Sequence, residues 1–226
     1  MVWSAPGKLR VCPSILSADF ARLADEIAVV EKAGADFIHV DVMDGQFVPN
    51  LTFGPIVVAG IRKMTRLPLD VHLMIVDPLR HLPAFADAGA DHLIVHVEAV
   101  DDPSAAGRAI RERGLRSGLS IKPETPLERL LPALADCDTA LVMTVEPGRG
   151  GQAFLPGSPE RIRAVRRAVA EGGFDCLVEV DGGIDVRTAP GAAAAGADAF
   201  VAGHSIFHTP DPAAAVRALR ASLPRP

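Results

Sequence analysis

His39 and Asp41, an imidazole and a carboxylate two residues apart, stand in the run Phe37-Ile38-His39-Val40-Asp41-Val42-Met43-Asp44-Gly45. Apolar and polar residues alternate there with a period of two, the pattern of a strand. Successive strand side chains face opposite ways, so His39, Asp41 and Met43 share one face and Ile38, Val40 and Val42 the other. A nitrogen and an oxygen donor so placed can bind one cation. Taken alone, the stretch reads equally as a packed histidine and a turn-capping aspartate. The device returns in Leu69-Asp70-Val71-His72-Leu73-Met74, where His72 and Met74 share a face. Val178-Glu179-Val180-Asp181 then ends in an acid before Gly182-Gly183. His39, Asp41, His72 and Asp181 together offer two nitrogen and two carboxylate ligands. Such a set suits one Zn²⁺, Mn²⁺, Fe²⁺ or Co²⁺ ion better than Mg²⁺ or Ca²⁺, which prefer oxygen alone. The alternative is a hydrogen-bonded His–Asp network without metal.

Ligands on separate strands converge only if the fold brings them together. Short apolar runs at 11–16, 36–43, 69–75, 92–98, 116–121, 140–145, 176–180 and 199–202 read as strands. Amphipathic segments near 18–33, 54–64, 78–88, 103–113, 126–135, 158–171, 187–195 and 211–222 read as helices. Such alternation demands a parallel sheet. Ala33-Gly34-Ala35-Asp36, Ala88-Gly89-Ala90-Asp91 and Ala195-Gly196-Ala197-Asp198 form a weak internal repeat in which glycine ends a helix before a strand. Eight units within 226 residues predict one α/β domain, 1–226, folded as a (β/α)8 TIM barrel. A doubly wound sheet would want GxGxxG after the first strand, and none is present.

In such a barrel, functional groups end the strands on the inward face. Ser14, Asp41, Met43, His72, Met74, Met143, Asp181 and Gly203-His204 all fall at such ends. The second and seventh strands are nearly opposite, so Asp41 and Asp181 should face each other across the mouth. Opposed carboxylates suit inversion at a carbon beside a carbonyl, one removing a proton and the other returning one on the far face. Positioned acid–base groups contribute about 10²–10⁴ in rate, so a cation stabilising the enediolate is expected to carry the larger electrostatic share. Met43, Met74 and Met143 would wall the intermediate or simply fill the core. Glycines at Gly148-Arg149-Gly150-Gly151, Gly182-Gly183 and Gly203 let backbone N–H groups approach a phosphate, with Ser205-Ile206-Phe207 as a short helix beside it. His96, Glu98, Ser120 and Lys122 read as support for the barrel interior or mouth, and His81, His92 and His208 as solvated or packed.

Interspersed charges with a net of −5 give no nucleic-acid surface. No apolar run approaches the ~20 residues that span a bilayer, and residues 1–10 lack a signal peptide's apolar core. Cys12, Cys137 and Cys176, widely spaced and without CxxC, read as buried thiols in a reducing compartment. A cytoplasmic protein without membrane or nucleic-acid partners is expected.

The runs PSILSADF (13–20), HVDVMDGQFVPN (39–50), LDVHLMI (69–75), MTVEPGRGGQ (143–152) and EVDGGI (179–184) resemble the ribulose-phosphate 3-epimerase family. The resemblance implies a ribulose-phosphate-binding barrel that interconverts D-ribulose 5-phosphate and D-xylulose 5-phosphate in the pentose phosphate or Calvin cycle, with one divalent metal. It places the metal ligands on His39, Asp41, His72 and Asp181, and the acid–base groups on Asp41 and Asp181. Ser14, His72, Asp181 and the glycine loops, including His204, fall on its substrate contacts, and a homo-oligomer, dimer or hexamer, is implied. Arg149 stands where the family usually has an aromatic residue, and His204 where it has a small serine-like one. Both add potential positive charge near the phosphate. D-allulose-6-phosphate 3-epimerase shares the constellation and is the nearest alternative. A hexulose-phosphate aldolase or decarboxylase would need a lysine near the reacting carbon, and only Lys122 ends an inward strand. A non-catalytic phosphosugar-binding protein is the remote alternative.

Overall fold

A computed structural model describes residues 7–224. Of the N-terminal stretch read above as lacking a signal peptide's core, residues 1–6 lie outside the described residues. Eight parallel strands, β1 (Arg10–Pro13), β2 (Ile38–Met43), β3 (Leu69–Met74), β4 (His92–His96), β5 (Arg116–Ile121), β6 (Thr139–Met143), β7 (Leu177–Asp181) and β8 (Ala199–Ala202), follow one another around a ring. Seven neighbouring pairs form ladders; between β1 and β2 the closure is slighter, a single bridge at Ser14–His39 and a hydrogen bond from Asp36 N to Val11 O at 2.9 Å. The barrel is thus closed at the point where Ser14 and His39 meet.

The alternation in β2 sorts its side chains as the period of two requires. Ile38, Val40 and Val42 enter the large apolar layer between strands and helices, together with Ile27, Val58 and Phe85 from the helical shell. His39 and Asp41 turn inward and are almost completely buried. Interiors of such barrels are ordinarily filled by branched apolar residues. Here Asp70, His72, His92, His96 and Glu179 are buried alongside His39 and Asp41. A buried polar set of this size is costly unless paired, and it marks the interior as more than packing.

Proline accounts for most departures from the expected helices. α1 (Leu23–Lys32) starts five residues late, after a 3₁₀ turn at Phe20–Arg22 that Asp19 caps by accepting from Ala21 N at 3.0 Å. The segment expected at 78–88 divides into a 3₁₀ turn, Pro78–His81, and α3 (Leu82–Asp87), with Pro83 in its first turn. The fifth helix, expected at 126–135, is not an α-helix: 3₁₀ turns at Leu127–Arg129 and Leu131–Asp136 take its place. Pro132 donates no N–H and disfavours α geometry at Leu131. The others follow the alternation: α2 (Pro55–Arg62), α4 (Pro103–Arg111), α5 (Ser158–Gly172), α6 (Ala189–Ala194) and α8 (Pro212–Ser222). The short α7 (His204–Phe207) stands where Ser205-Ile206-Phe207 was expected to lie. The first strand ends at Pro13, and Ser14 instead caps a 3₁₀ turn, accepting from Leu16 N at 3.3 Å.

The repeated aspartates have a common task at the opposite end of the barrel from the mouth. Asp36 accepts from Val11 N at 3.0 Å, Asp91 from Leu69 N at 2.8 Å and Asp198 from Val178 N at 2.9 Å. Each ties the start of an odd-numbered strand to the start of the next. Asp138 does the same for β5, accepting from Ser117 N at 2.8 Å, although no glycine motif precedes it. An arginine closes each junction: Arg220 on Asp36, Arg62 on Asp91, Arg111 on Asp138 and Arg166 on Asp198. No helix among the described residues is long and apolar enough to cross a membrane.

Candidate active site

At the C-terminal ends of the strands lies a cavity of about 620 Å³. Asp41 and Asp181 stand at its floor, Met43, Met74 and Met143 form its apolar wall, and Ser14 borders Asp41. Its rim carries Gly148, Arg149, Gly150, Gly151, Gly182, Gly183, Gly203 and His204, so these expected contacts share one cavity. His39 and His72 are fully buried beneath the floor rather than on the wall. His72 therefore reaches this cavity only through the carboxylates above it.

The four expected ligands do converge. One donor atom from each of His39, Asp41, His72 and Asp181 lies within 4.8 Å of all the others. His39 Nε2 is 3.4 Å from Asp41 Oδ1, and His72 Nδ1 is 3.4 Å from the same oxygen and 3.9 Å from Asp181 Oδ2. None of these separations has hydrogen-bond geometry, and both histidine nitrogens are buried without a hydrogen-bond partner. Leaving such atoms unsatisfied costs about 1–3 kcal/mol each. A divalent cation bonded to all four donors would satisfy them at once, so the residues fit a metal.

Each imidazole is fixed from behind. His39 Nδ1 lies 2.7 Å from Asp70 Oδ2, and the other oxygen of Asp70 lies 2.6 Å from His92 Nδ1. His72 Nε2 meets His96 Nε2 at 2.9 Å. This is the outer arrangement metal-bound histidines use to fix tautomer and direction. Ser14 Oγ donates to Asp41 Oδ2 at 2.5 Å, which pins the carboxylate. Thr52 Oγ1 donates to the Asp41 carbonyl at 2.6 Å, and Thr144 Oγ1 to those of Asp181 and Gly182 at 2.8 and 2.5 Å. Both acids thus sit on backbone that side chains of neighbouring loops hold still.

The two carboxyls differ electrostatically. Burial and the negative charge of Asp41 push Asp181 up to about 7. Burial would raise Asp41 too, but the charge of His39 and the close approach of the His39 and His72 imidazoles hold it well below the usual carboxylate range. Paired acids whose environments separate their affinities for protons are a recurring feature of proton-transfer sites.

Gly182 and Gly183 at the rim are sterically required. Gly182 and Gly183 have φ of +115° and +66°; a Cβ on Gly183 would lie 2.3 Å from Phe154 N. Gly203 could carry no Cβ without coming within 2.7 Å of Ser17 Oγ. Ser17, which also lines the cavity, went unremarked in the sequence because nothing at its position distinguishes it from a turn serine. Asp70 was legible: it shares a face with His72 in β3. Arg187 lines the cavity as well but is engaged by Asp185 at 2.6 Å. Lys122 Nζ sits 4.0 Å above the Phe47 ring and does not line the cavity. Among the expected thiols, Cys12, Cys137 and Cys176 are free and buried.

The profile of the ribulose-phosphate 3-epimerase family matches residues 10–207. A curated ribulose-phosphate 3-epimerase of Mycobacterium tuberculosis is 53% identical over 220 residues, covering 97% of this chain and 95% of its own. That of Bacillus subtilis is 48% identical over 95% of this chain and 99% of its own, and that of Escherichia coli 45% over 94% and 95%. Among solved structures, a 3-hexulose-6-phosphate synthase from Salmonella typhimurium superposes with a TM-score of 0.73 at 21% identity, covering 95% of this chain and 98% of that one. At that identity the likeness speaks for the fold alone.

Proposed function

Because the chain belongs to the ribulose-phosphate 3-epimerase family, we propose that Asp41 and Asp181 exchange the C3 proton of D-ribulose 5-phosphate and D-xylulose 5-phosphate within one barrel domain, residues 1–226. The protein is an isomerase of the epimerase type. The observation that carries the residue assignment is the convergence of two carboxylates and two orphaned imidazole nitrogens at the cavity floor.

His39, Asp41, His72 and Asp181 would hold one divalent cation, with the mixed nitrogen and oxygen donors favouring Zn²⁺, Mn²⁺, Fe²⁺ or Co²⁺. When bound, the cation supplies Lewis-acid stabilisation of negative charge on the oxygens beside the reacting carbon. The chain's residues do the rest. One carboxylate takes the C3 proton, and the other delivers a proton to the opposite face. Ser14 holds Asp41 in line through its 2.5 Å hydrogen bond. Met43, Met74 and Met143 exclude water from the reacting carbon. The rim of Gly148, Arg149, Gly150, Gly151, Gly182, Gly183, Gly203 and His204 receives the phosphate, with Arg149 and His204 adding charge that glycines do not.

Lys122, held over Phe47 away from the cavity, does not support the lysine-dependent aldolase reading. The relatives, themselves ribulose-phosphate 3-epimerases, favour the five-carbon substrate over D-allulose 6-phosphate. The setting is the pentose phosphate route in a cytoplasmic protein, and self-association is part of the same reading. Exposed Phe20 packs edge-on against Phe53, which shares a shallow groove with exposed Leu51 and Val76, an apolar surface of the kind that marks contacts between chains.

Assay of the purified protein on five- and six-carbon ketose phosphates, before and after chelation, tests the proposal. Epimerisation of D-ribulose 5-phosphate, lost on chelation and restored by a divalent ion, is expected. Full activity after exhaustive chelation would contradict it.

A further inference from the structure

His96 and Glu98, at the end of β4, connect the cluster to the edge of the barrel. His72 Nε2 lies 2.9 Å from His96 Nε2, and the rings are 24° from coplanar with centroids 4.9 Å apart. That is the geometry of an edge-to-edge hydrogen bond between the two nitrogens. His96 Nδ1 is 3.0 Å from Glu98 Oε2, and Glu98 Oε1 accepts from Lys122 N at 2.8 Å. Burial would raise the Glu98 carboxyl, yet the hydrogen bond from His96 keeps it down at about 2.

The donor and acceptor assignments then follow in sequence. An ionised carboxylate only accepts, so His96 Nδ1 donates to Glu98. The 2.9 Å contact between the two Nε2 atoms holds a single proton, and the N–H of His96 is already placed on Nδ1, which donates to Glu98. His96 Nε2 is therefore an acceptor. His72 must donate from Nε2, which leaves the lone pair on Nδ1, the atom facing Asp41 and Asp181. The opposite tautomer of either ring would set two lone pairs or two N–H groups against each other.

We infer that Glu98 is a positioning residue for the cation site, acting through His96 to fix the tautomer of His72. The inference rests on the reading of His72 as a cation ligand. It gives a role to two residues that the sequence marked only as support for the barrel.

The test is calorimetric titration of the metal-free full-length protein with Zn²⁺, alongside the thermal midpoint of each metal-free variant as a control on folding. The wild type should bind one ion. Glu98→Ala should weaken binding about tenfold, the low end of the 10–100-fold range for outer-shell partners. His96→Phe, which keeps a ring but neither donates nor accepts, should weaken it at least as much. Because Glu98 acts only through His96, adding Glu98→Ala to His96→Phe should cost no further affinity; a merely structural glutamate would give additive losses. Wild-type affinity in Glu98→Ala, or additive losses in the pair, would overturn the positioning role and leave the cation site standing. A wild type that binds no Zn²⁺ would overturn both.

Discussion

Ser14 and Asp41 form the shortest side-chain contact at the cavity floor, a hydroxyl donating to a carboxylate that must also exchange a proton. Hydrogen bonds to charged groups contribute about 1.5–3 kcal/mol. Ser14→Ala is thus expected to lower kcat by roughly 10–100-fold with little change in thermal midpoint, measured by steady-state kinetics and calorimetry. A change in KM alone would place Ser14 in substrate binding instead. Asp41→Asn and Asp181→Asn should each lower turnover by at least about 10³-fold and leave the fold intact by circular dichroism, since both remove a proton-transfer group. At this scale the sequence was partly transparent. Periodicity in β2 and β3 placed His39, Asp41 and His72 on inward faces, and Asp70 was within reach of the same rule. Ser17, Thr52 and Thr144 were not, because what matters about them is which backbone they touch, and those partners lie 11 to more than 30 residues away or on another strand.

At the scale of elements, the strand starts are tied by aspartates rather than by the helices that precede them. The Ala-Gly-Ala-Asp repeat advertised the helix stops, since Gly34, Gly89 and Gly196 adopt φ near +100° where other residues are strained. Its aspartate looked like an ordinary strand-leading polar residue. Only the register of paired strands reveals that Asp36, Asp91, Asp138 and Asp198 each bind an N–H of the first or second residue of the previous strand. Burial would raise Asp36, but Lys8, Arg220 and Val11 N together hold its carboxyl below the ordinary value. A lowered folded-state affinity for protons stabilises the fold above the ordinary carboxylate value of about 4 and is lost as the pH falls below it. Asp36→Asn should therefore cost about 1–3 kcal/mol at pH 7, and the gap to wild type should shrink at pH 3 in urea unfolding. A gap of equal size at both values would assign the cost to packing rather than to charge. The fifth helix shows where local pattern failed: apolar spacing at 126–135 suited an α-helix, but Pro132 in its interior removes a donor and disfavours α geometry at Leu131.

For the whole molecule, closure of the ring is what converts scattered residues into a site. β1 and β2 meet through Ser14 and His39, so the weakest seam of the barrel runs beside the cation ligands. Occupancy by a ligand that binds only the folded state raises stability by mass action. A divalent ion at ten times its dissociation constant or more should raise the thermal midpoint of the wild type by several degrees and leave His39→Ala unmoved. A midpoint indifferent to metal in the wild type would argue against ligation at the seam. Alternating strand and helix runs made the barrel legible from the sequence, and chemistry at the strand ends made its mouth legible. The depth of the buried network was not, because strand periodicity tells which way a residue points and not how far below the floor it lies.

The central claim is that two acids serve opposite faces of one carbon, and hydrogen exchange at C3 tests it most directly. Incubated in D₂O with each epimer separately and followed by NMR, the wild type should incorporate deuterium at C3 starting from either sugar. Asp41→Asn should exchange the C3 hydrogen of only one epimer, and Asp181→Asn only that of the other, since each variant retains the base for a single face. If either single variant still exchanged both epimers, one residue would be doing the work assigned to two, and the two-acid scheme would be wrong.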